Sequence, residues 1–368
     1  MFRRLYLYFK NMDWALFSAV LLLVLFGLVE IYSVSLGRGG IDLQNFRKQI
    51  LFIVVGFLLM FFLAFADYHL LRSFSNYFFL AGVLSLILVL IFGREINGTK
   101  GWFYFQGFSI QPVEFVKFIL ILFLARYFSS ASIKLNPLRH FAITGGGTLI
   151  LFILVLAQPD FGSALLLFLL WLAVIILAGS ERKYLIAIFL IVAVIAAGFW
   201  VFYFKPYQKQ RIATFLNPSF DPLGQGFNIS QAIIAVGSGG LSGRGIGFGS
   251  QSQLKFLPES QTDFIFAVIS EELGFLGAGL VLAFFAVFFY RCLTSLKKIN
   301  NDFGIFFILG VVSLIFIEMF INIAMNMGLL PVIGISLPFL SYGGSTMIAN
   351  MMLVGVVQSI IIRSKLSY

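Results

Sequence analysis

Long apolar runs alternate with short polar interruptions along this chain. A membrane-crossing helix needs about 20 mostly apolar residues. That criterion predicts ten spans, at about 14–35, 47–66, 74–93, 112–128, 141–157, 162–179, 184–204, 264–290, 304–326 and 345–362. The fourth is short, and the fifth and sixth are parted only by a few residues around Gln158-Pro159-Asp160. Cations fall at alternate ends. Arg3, Arg4 and Lys10 precede span one; Arg126, Lys134 and Arg139 follow span four; Arg182 and Lys183 follow span six. Arg291, Lys297 and Lys298 follow span eight, and Arg363 and Lys365 follow span ten. All these lie on one side, which the positive-inside bias makes cytoplasmic. Segments 36–46, 94–111, 158–161, 205–263 and 327–344 are then outside. Arg38, Arg47 and Lys48, at the first outer loop, run against the bias. Cations in the 205–263 loop do not, because long loops are weakly constrained by charge. The expectation is an all-α polytopic membrane protein of about ten transmembrane helices. It has both termini cytoplasmic, one large extracytoplasmic loop (205–263) between helices seven and eight, and a single domain over 1–368.

Composition agrees. Charged residues are 11% of the chain, against about 25% in soluble proteins, and the mean hydropathy is +1.02. The net charge of +10 sits in short loops, so topology and anionic lipid account for it and nucleic acid does not. The 47 phenylalanines read as lipid-facing residues. A single cysteine, Cys292, excludes an intramolecular disulfide, and two histidines exclude a histidine-rich metal site. The first apolar run is too long for a signal-peptide core and has no A-x-A-like site after it, so it reads as a retained helix. No repeat of fixed period and no separate soluble domain is visible.

Candidate chemistry concentrates on the outer side. The stretch LKFLPESQTDFIFAVISEELGF, 254–275, runs from a polar loop into an apolar helix and sets Asp263 at the junction. Glu271 and Glu272 follow roughly 12–13 Å along that helix. They read as too deep to share a reactive centre with Asp263, and as groups that hold helices together or line a cavity floor. Glu30 and Glu318 are further carboxylates inside apolar spans, where ionisable groups are costly and face cavities or partners. Glu114 and Lys117 are three apart at the start of span four, so they share a helix face and can pair. They read as a polar cavity wall or as a mutually neutralising pair. Asp160 reads as a helix N-cap or as a polar group of the same cavity. In the large loop, SGGLSGRGIGFGS reads either as a turn-rich surface segment or as backbone that approaches a ligand closely, with Arg244 adding charge. Lys205, Lys209 and Arg211 read as lipid-headgroup contacts or as pyrophosphate ligands. The apolar but Pro- and Gly-broken segment 326–345 predicts a re-entrant element, since irregular backbone at membrane depth must be covered by protein or line a cavity.

Taken together, NGTKGW (97–102), QPVEFVK (111–117), QPDFG (158–162), QRIATFLNP followed by GQGFNISQAIIAVGSGG, LPESQTDFIFAVISEELGF (257–275) and LPFLSYGGS (337–345) resemble the SEDS family of bacterial membrane proteins. The resemblance covers essentially the whole chain. It implies a peptidoglycan glycosyltransferase of the bacterial cytoplasmic membrane, polymerising lipid II on the outer face beside a class B penicillin-binding protein that crosslinks the glycan. Asp263 falls on the family's catalytic aspartate, and Glu114, Lys117 and Asp160 fall on polar positions of its central cavity. TDFIF after PES resembles the elongation branch, RodA, more than the division branch, FtsW. Gly101 stands where relatives often carry arginine, and Lys100 is the neighbouring cation.

The expected reaction is attack of an acceptor sugar's 4-hydroxyl on a donor's anomeric carbon, with undecaprenyl pyrophosphate leaving. Asp263 is the expected base, and Arg211 and Lys117, then Lys205 and Arg244, are the expected pyrophosphate contacts. No cofactor is required by the sequence; a divalent cation, Mg or Mn, is compatible with the chemistry, and no ligand cluster for it is visible. Membrane lipids are expected partners. Two alternatives stay open: a flippase or transporter of lipid-linked oligosaccharide, in which charges near the midplane such as Glu271, Glu272 and Glu318 matter most, and a scaffold that recruits the transpeptidase.

Overall fold

The computed structural model describes residues 2–37, 42–96, 98–105, 107–129, 137–188, 190, 214–215 and 224–366. Helices α1 (Phe2–Asn11), α2 (Trp14–Ser35), α3 (Gln44–Phe65), α4 (Tyr68–Ser73) and α5 (Ser75–Phe92) come first. After a small sheet follow α6 (Pro112–Phe128), α7 (Pro137–Leu156) and α8 (Phe161–Leu177). Beyond the large loop's start come α9 (Gln225–Ser238), α10 (Ser250–Gln253), α11 (Ile265–Leu296), α12 (Asp302–Asn326) and α13 (Gly344–Leu366). Seven of these are long and apolar enough to cross a membrane, and α6 and α8, at 17 residues each, coincide with two more predicted spans. Most of the predicted span 184–204, and Lys205 and Arg211 beyond it, lie outside the described residues.

The outer segment 94–110 is not helical. It folds as a three-stranded antiparallel meander, β1 (Arg94–Ile96), β2 (Thr99–Phe105) and β3 (Phe108–Ile110), with Phe103 opposite Ile110 and Phe105 opposite Phe108. Gly98 and Gly107 take φ of 80° and 91° in the two tight connections, conformations that glycine adopts without the Cβ clash.

In the interior, α13 lies along α3. A Cβ on Gly355 would stand 2.6 Å from the Met60 carbonyl oxygen, so the two backbones approach as closely as small-residue membrane contacts allow. Helices α2 and α11 are joined at both ends. Arg291 Nε and Nη2 donate to the Asp13 carboxylate at 3.1 and 2.7 Å. At the other end Ser33 Oγ donates to Glu272 Oε2 at 2.5 Å. Asp13 and Ser33 are twenty positions apart in one unbroken helix, about 30 Å, which is the thickness of the hydrocarbon core. Glu272 thus meets α2 near the end of that helix opposite Asp13, and holds the two helices together as expected. The apolar run of α11 continues to Leu296, farther than the predicted end at 290. Glu30, about one turn below Ser33, is buried within electrostatic reach of Glu272 and accepts no hydrogen bond from a described residue.

At the same level α11 is broken. Gly274 has φ 65° and ψ −159°. The glycine-rich loop completes the interrupted ladder: Arg244 N and Gly245 N donate to the Glu271 and Glu272 carbonyls at 3.0 and 2.8 Å, and Phe275 N and Leu276 N donate to Gly240 O and Leu241 O at 2.9 and 3.1 Å. A Cβ on Gly239 would lie 1.8 Å from Ser270 O and one on Gly243 2.2 Å from Glu272 O, so the close approach demands glycine. The loop's amides meet the chain's own anions. Gln251 N and Ser252 N donate to the two Glu271 carboxylate oxygens at 2.9 and 3.3 Å, and Gly247 N donates to Glu272 Oε2 at 3.0 Å. The segment 239–252 is turn-rich and largely exposed, as one reading expected, and its amides are engaged by the chain's own carboxylates.

Candidate functional site

Asp263 sits in the turn just before α11, half-buried, about 13 Å from the Glu272 level by helical rise. Its main chain is clamped. Asn322 Nδ2 and Asn326 Nδ2 both donate to the Asp263 carbonyl at 2.9 Å. Asn326 Oδ1 accepts from Ala267 N at 3.1 Å, satisfying one of the amides that a helix's first turn leaves open. Asn322 Nδ2 also donates to Ile335 O at 2.7 Å, which ties in the irregular segment between α12 and α13. Ser341 continues that tie by donating to Thr262 O at 2.6 Å, and Tyr342 N donates to Gln261 O at 2.8 Å. Ile335, Leu337, Phe339 and Leu340 of this segment are buried, as a protein-covered irregular element requires. The Asp263 carboxylate faces Gly334, whose Cβ would stand 3.6 Å from Oδ2. Burial, with the Glu259 charge adding to it, pushes this carboxyl up to about 7.

A second polar cluster lies on the neighbouring turn. Lys117 Nζ is 2.9 Å from Glu114 Oε2 and 2.6 Å from Glu318 Oε1, and all three residues are buried. The predicted pairing of Glu114 with Lys117 holds, and Glu318 joins it from α12. Asp160 does cap α8, accepting from Ser163 N at 2.9 Å and Ser163 Oγ at 2.8 Å. It also accepts from Gln111 Nε2 at 3.2 Å and lies within electrostatic reach of Glu114 and Lys117, so the cap stands beside that pair.

Glu318, Asn322 and Asn326 are spaced four apart on α12, which puts them on one face in successive turns. That face joins the Lys117 cluster to the clamp on Asp263, one turn apart. Sequence reasoning missed Asn322, Asn326, Gln111 and Ser341. The available signal was a pair of amides at helical spacing inside an apolar span. Arg244 is exposed, donates to Ser250 Oγ at 2.7 Å, and belongs by its backbone to the Glu271 level, not to the Asp263 turn. Among the described residues no group of three His, Cys, Asp or Glu converges as a metal site. The ammonium of Lys117 occupies the centre of its carboxylates.

A protein-family model described as cell cycle protein, FtsW/RodA/SpoVE, matches residues 13–366. Stage V sporulation protein E of Bacillus subtilis (strain 168) is 38% identical over 359 residues, covering 95% of this chain and 96% of that protein. Peptidoglycan glycosyltransferase MrdB of Escherichia coli (strain K12) is 35% identical over 353 residues, covering 95% and 93%. Among solved structures, a chain of a peptidoglycan synthase complex that coordinates polymerization and crosslinking superposes with a TM-score of 0.81 at 29% identity, covering 96% and 98%. The rod shape determining protein RodA of Thermus thermophilus superposes at 0.71 with 27% identity, covering 95% and 96%.

Proposed function

The chain belongs to the FtsW/RodA/SpoVE family of cell cycle proteins and is a multi-pass protein of the inner membrane; on that premise we propose that it is a peptidoglycan glycosyltransferase polymerising lipid II at the outer face. The observation that carries the reading is Asp263, a carboxylate of raised proton affinity held at the outer membrane surface by two asparagines, one turn from a buried cation. A base near neutral pKa, positioned at the reacting hydroxyl, is worth about 10²–10⁴-fold. In the proposed step Asp263 takes the proton of the acceptor's 4-hydroxyl as its oxygen bonds to the donor's anomeric carbon. The bond from that carbon to the pyrophosphate breaks, and its electron pair leaves on the pyrophosphate. Inversion at the anomeric carbon follows from a single direct displacement. Lys117 donates to two carboxylates and keeps one N–H for a phosphate oxygen. Lys205 and Arg211 are the proposed further pyrophosphate cations. Arg244, bonded through its backbone to Glu271, is the more remote candidate.

Similarity to a synthase complex supports a crosslinking partner of the class B penicillin-binding type. The PES-TDFIF sequence at 258–266 favours a role in elongation. Depletion of the chain in its own bacterium, giving rounded cells instead of filaments, is the expected phenotype of that role. The transporter alternative asked for essential charges near the midplane. Glu271 and Glu272 are instead engaged by the glycine loop, and Glu318 is paired with Lys117. The deciding experiment is incubation of the purified chain and its co-expressed partner with labelled lipid II, beside Asp263→Asn. A glycan ladder that vanishes in the variant is expected. No ladder from either protein, with lipid II still crossing vesicle membranes, overturns the reading.

A further inference from the structure

On the cytoplasmic side the ends of α1, α11 and α13 meet at the start of α2, and cations gather there. Arg291 lies near the end of α11, and Lys298 in the turn beyond it, where its N–H donates to Ser295 O at 3.0 Å. Lys365 lies in the last turn of α13. Hydrogen bonds fix the junction. The Gln358 side chain on α13 pairs with the backbone of Asp13, accepting from its N–H and donating to its carbonyl, both at 2.9 Å. Lys365 stands on the same face of α13 two turns on, about 10 Å farther along. Its Nζ donates to the carbonyl of Asn11, the last residue of α1, at 2.7 Å. Lys298, Arg291 and Asp13 are all within electrostatic reach of that ammonium.

One carboxylate thus serves three cations, and it is already engaged. Asp13 accepts Arg291 Nε and Nη2. Among the described residues, neither Lys298 nor Lys365 has a carboxylate within 4.0 Å, and Arg291 Nη1 makes no hydrogen bond. Lys365 is half-buried, so solvent screens this repulsion less than it would at an open surface. An anion from outside the chain would relieve it. The surroundings point to the kind of anion. Trp14 and Tyr290, sequence neighbours of Asp13 and Arg291, are exposed, and such rings sit at the headgroup level of a bilayer. Val287, Tyr290 and Leu293 are exposed at three-residue spacing, an apolar face of α11 that leads out of the span to these cations. A phosphate held at the cations therefore lies beside a surface suited to its own acyl chains. A soluble anion would meet the charges alone.

We propose that this junction is a binding site for an anionic phospholipid of the inner leaflet, its phosphate held by Lys298, Lys365 and the free Nη1 of Arg291. Basic pockets between helices at the cytoplasmic face suit such headgroups. The guanidinium has five N–H donors, so Arg291 can hold Asp13 and a phosphate oxygen together. The lipid then bridges the ends of α11 and α13, which Asp13 already ties to the start of α2. The site lies roughly 40 Å along α11 from Asp263 and is independent of the polymerase reading.

The test uses the full chain in a non-ionic detergent. The probe is phosphatidylglycerol with a fluorescent acyl chain, beside phosphatidylcholine with the same label, and binding is read by anisotropy. Wild type should bind the anionic lipid at least tenfold more tightly. Each lysine is expected to contribute about fivefold, so Lys298→Gln, at an exposed position that folding does not need, should weaken binding about fivefold, and Lys298→Gln with Lys365→Gln about twenty-five-fold. Lys183→Gln removes an equal charge from another cytoplasmic loop, where Lys183 pairs with Glu181 at 2.6 Å, and should bind as wild type does. Equal affinity for the two lipids overturns the site. So does an equal loss from Lys183→Gln and Lys298→Gln, which would show diffuse surface charge. Displacement of the labelled lipid by millimolar inorganic phosphate would reassign the cations to a free cytoplasmic anion. Loss of binding when the chain is purified with its co-expressed partner would assign the surface to a protein segment instead.

Discussion

The titration of Asp263 should set the rate of polymerisation. Burial and the Glu259 charge raise its carboxyl from 3.8 to about 7, and as a general base it works only when ionised. Its ionised fraction is then about one half at pH 7, about one tenth at pH 6 and about one hundredth at pH 5. Initial rates at subsaturating lipid II, taken from about pH 5 to about pH 9 at constant ionic strength, should fall tenfold per unit below an inflection near 7 and level off above it. Asp263→Asn should lose about 10²–10⁴-fold at the plateau and lose the inflection with it. Glu259→Gln removes the second cause, so the inflection should move down while the plateau stays. Stability runs the other way. Between the ordinary carboxylate value and about 7, the folded chain keeps a proton that the unfolded chain releases, so stability falls as pH rises through that window. A flat rate profile over this range, or an inflection near the ordinary value that ignores Glu259, would refute Asp263 as the base.

Lys117→Met leaves Glu114 and Glu318 buried without their cation and should destabilise by about 3–5 kcal/mol in detergent thermal unfolding, with part of the loss recovered by adding Glu318→Gln. Asn326→Ala removes a donor to the Asp263 carbonyl and the acceptor for Ala267 N; leaving buried backbone groups unpaired costs about 1–3 kcal/mol, and kcat should fall more than KM changes. Asn322→Asp should not restore what Asn322→Ala loses, because a carboxylate cannot donate to the Asp263 and Ile335 carbonyls. Gly274→Ala places a Cβ 2.3 Å from Gly243 N at positive φ and should abolish folded expression, whereas Gly279→Ala, with nothing within 4 Å, should be tolerated in the same fluorescence size-exclusion assay.

The membrane spans were legible because an apolar run of sufficient length has few other solutions, and the pairing of Glu114 with Lys117 was legible because three residues is a helical contact. What escaped depends on distance in sequence. Glu318 completes the Lys117 cluster from 201 positions away, and the asparagine clamp reaches Asp263 across 59 and 63. The meander at 94–110 did carry a local signal, glycine in two tight turns between aromatic runs, but strands of three to seven residues are easily read as loop beside helices of twenty. The surroundings of Glu271 and Glu272 escaped for the same reason, since hydropathy does not reveal that amides of residues 247–252 meet their carboxylates or that Ser33 of α2 donates to Glu272.

Those contacts also change what the glycine loop is for. The first turns of α11, from Ile265 to the break at Gly274, carry the base at one end and are held at the other by the amides of residues 244–252. They are separated from the rest of the helix by a residue whose φ is not helical. Their position is therefore set by the loop below and by the Asn322–Asn326 face above, more than by the span that anchors α11 to the membrane. The same α12 face holds Lys117 through Glu318. A displacement of α12 moves the base and the buried cation together, whereas a displacement of the loop moves the base alone. The two motions are distinguishable. Variants that loosen Glu271 from the loop should shift the distance between Asp263 and Lys117, read by cysteine crosslinking across that gap, while variants at Asn326 that preserve its amide should not.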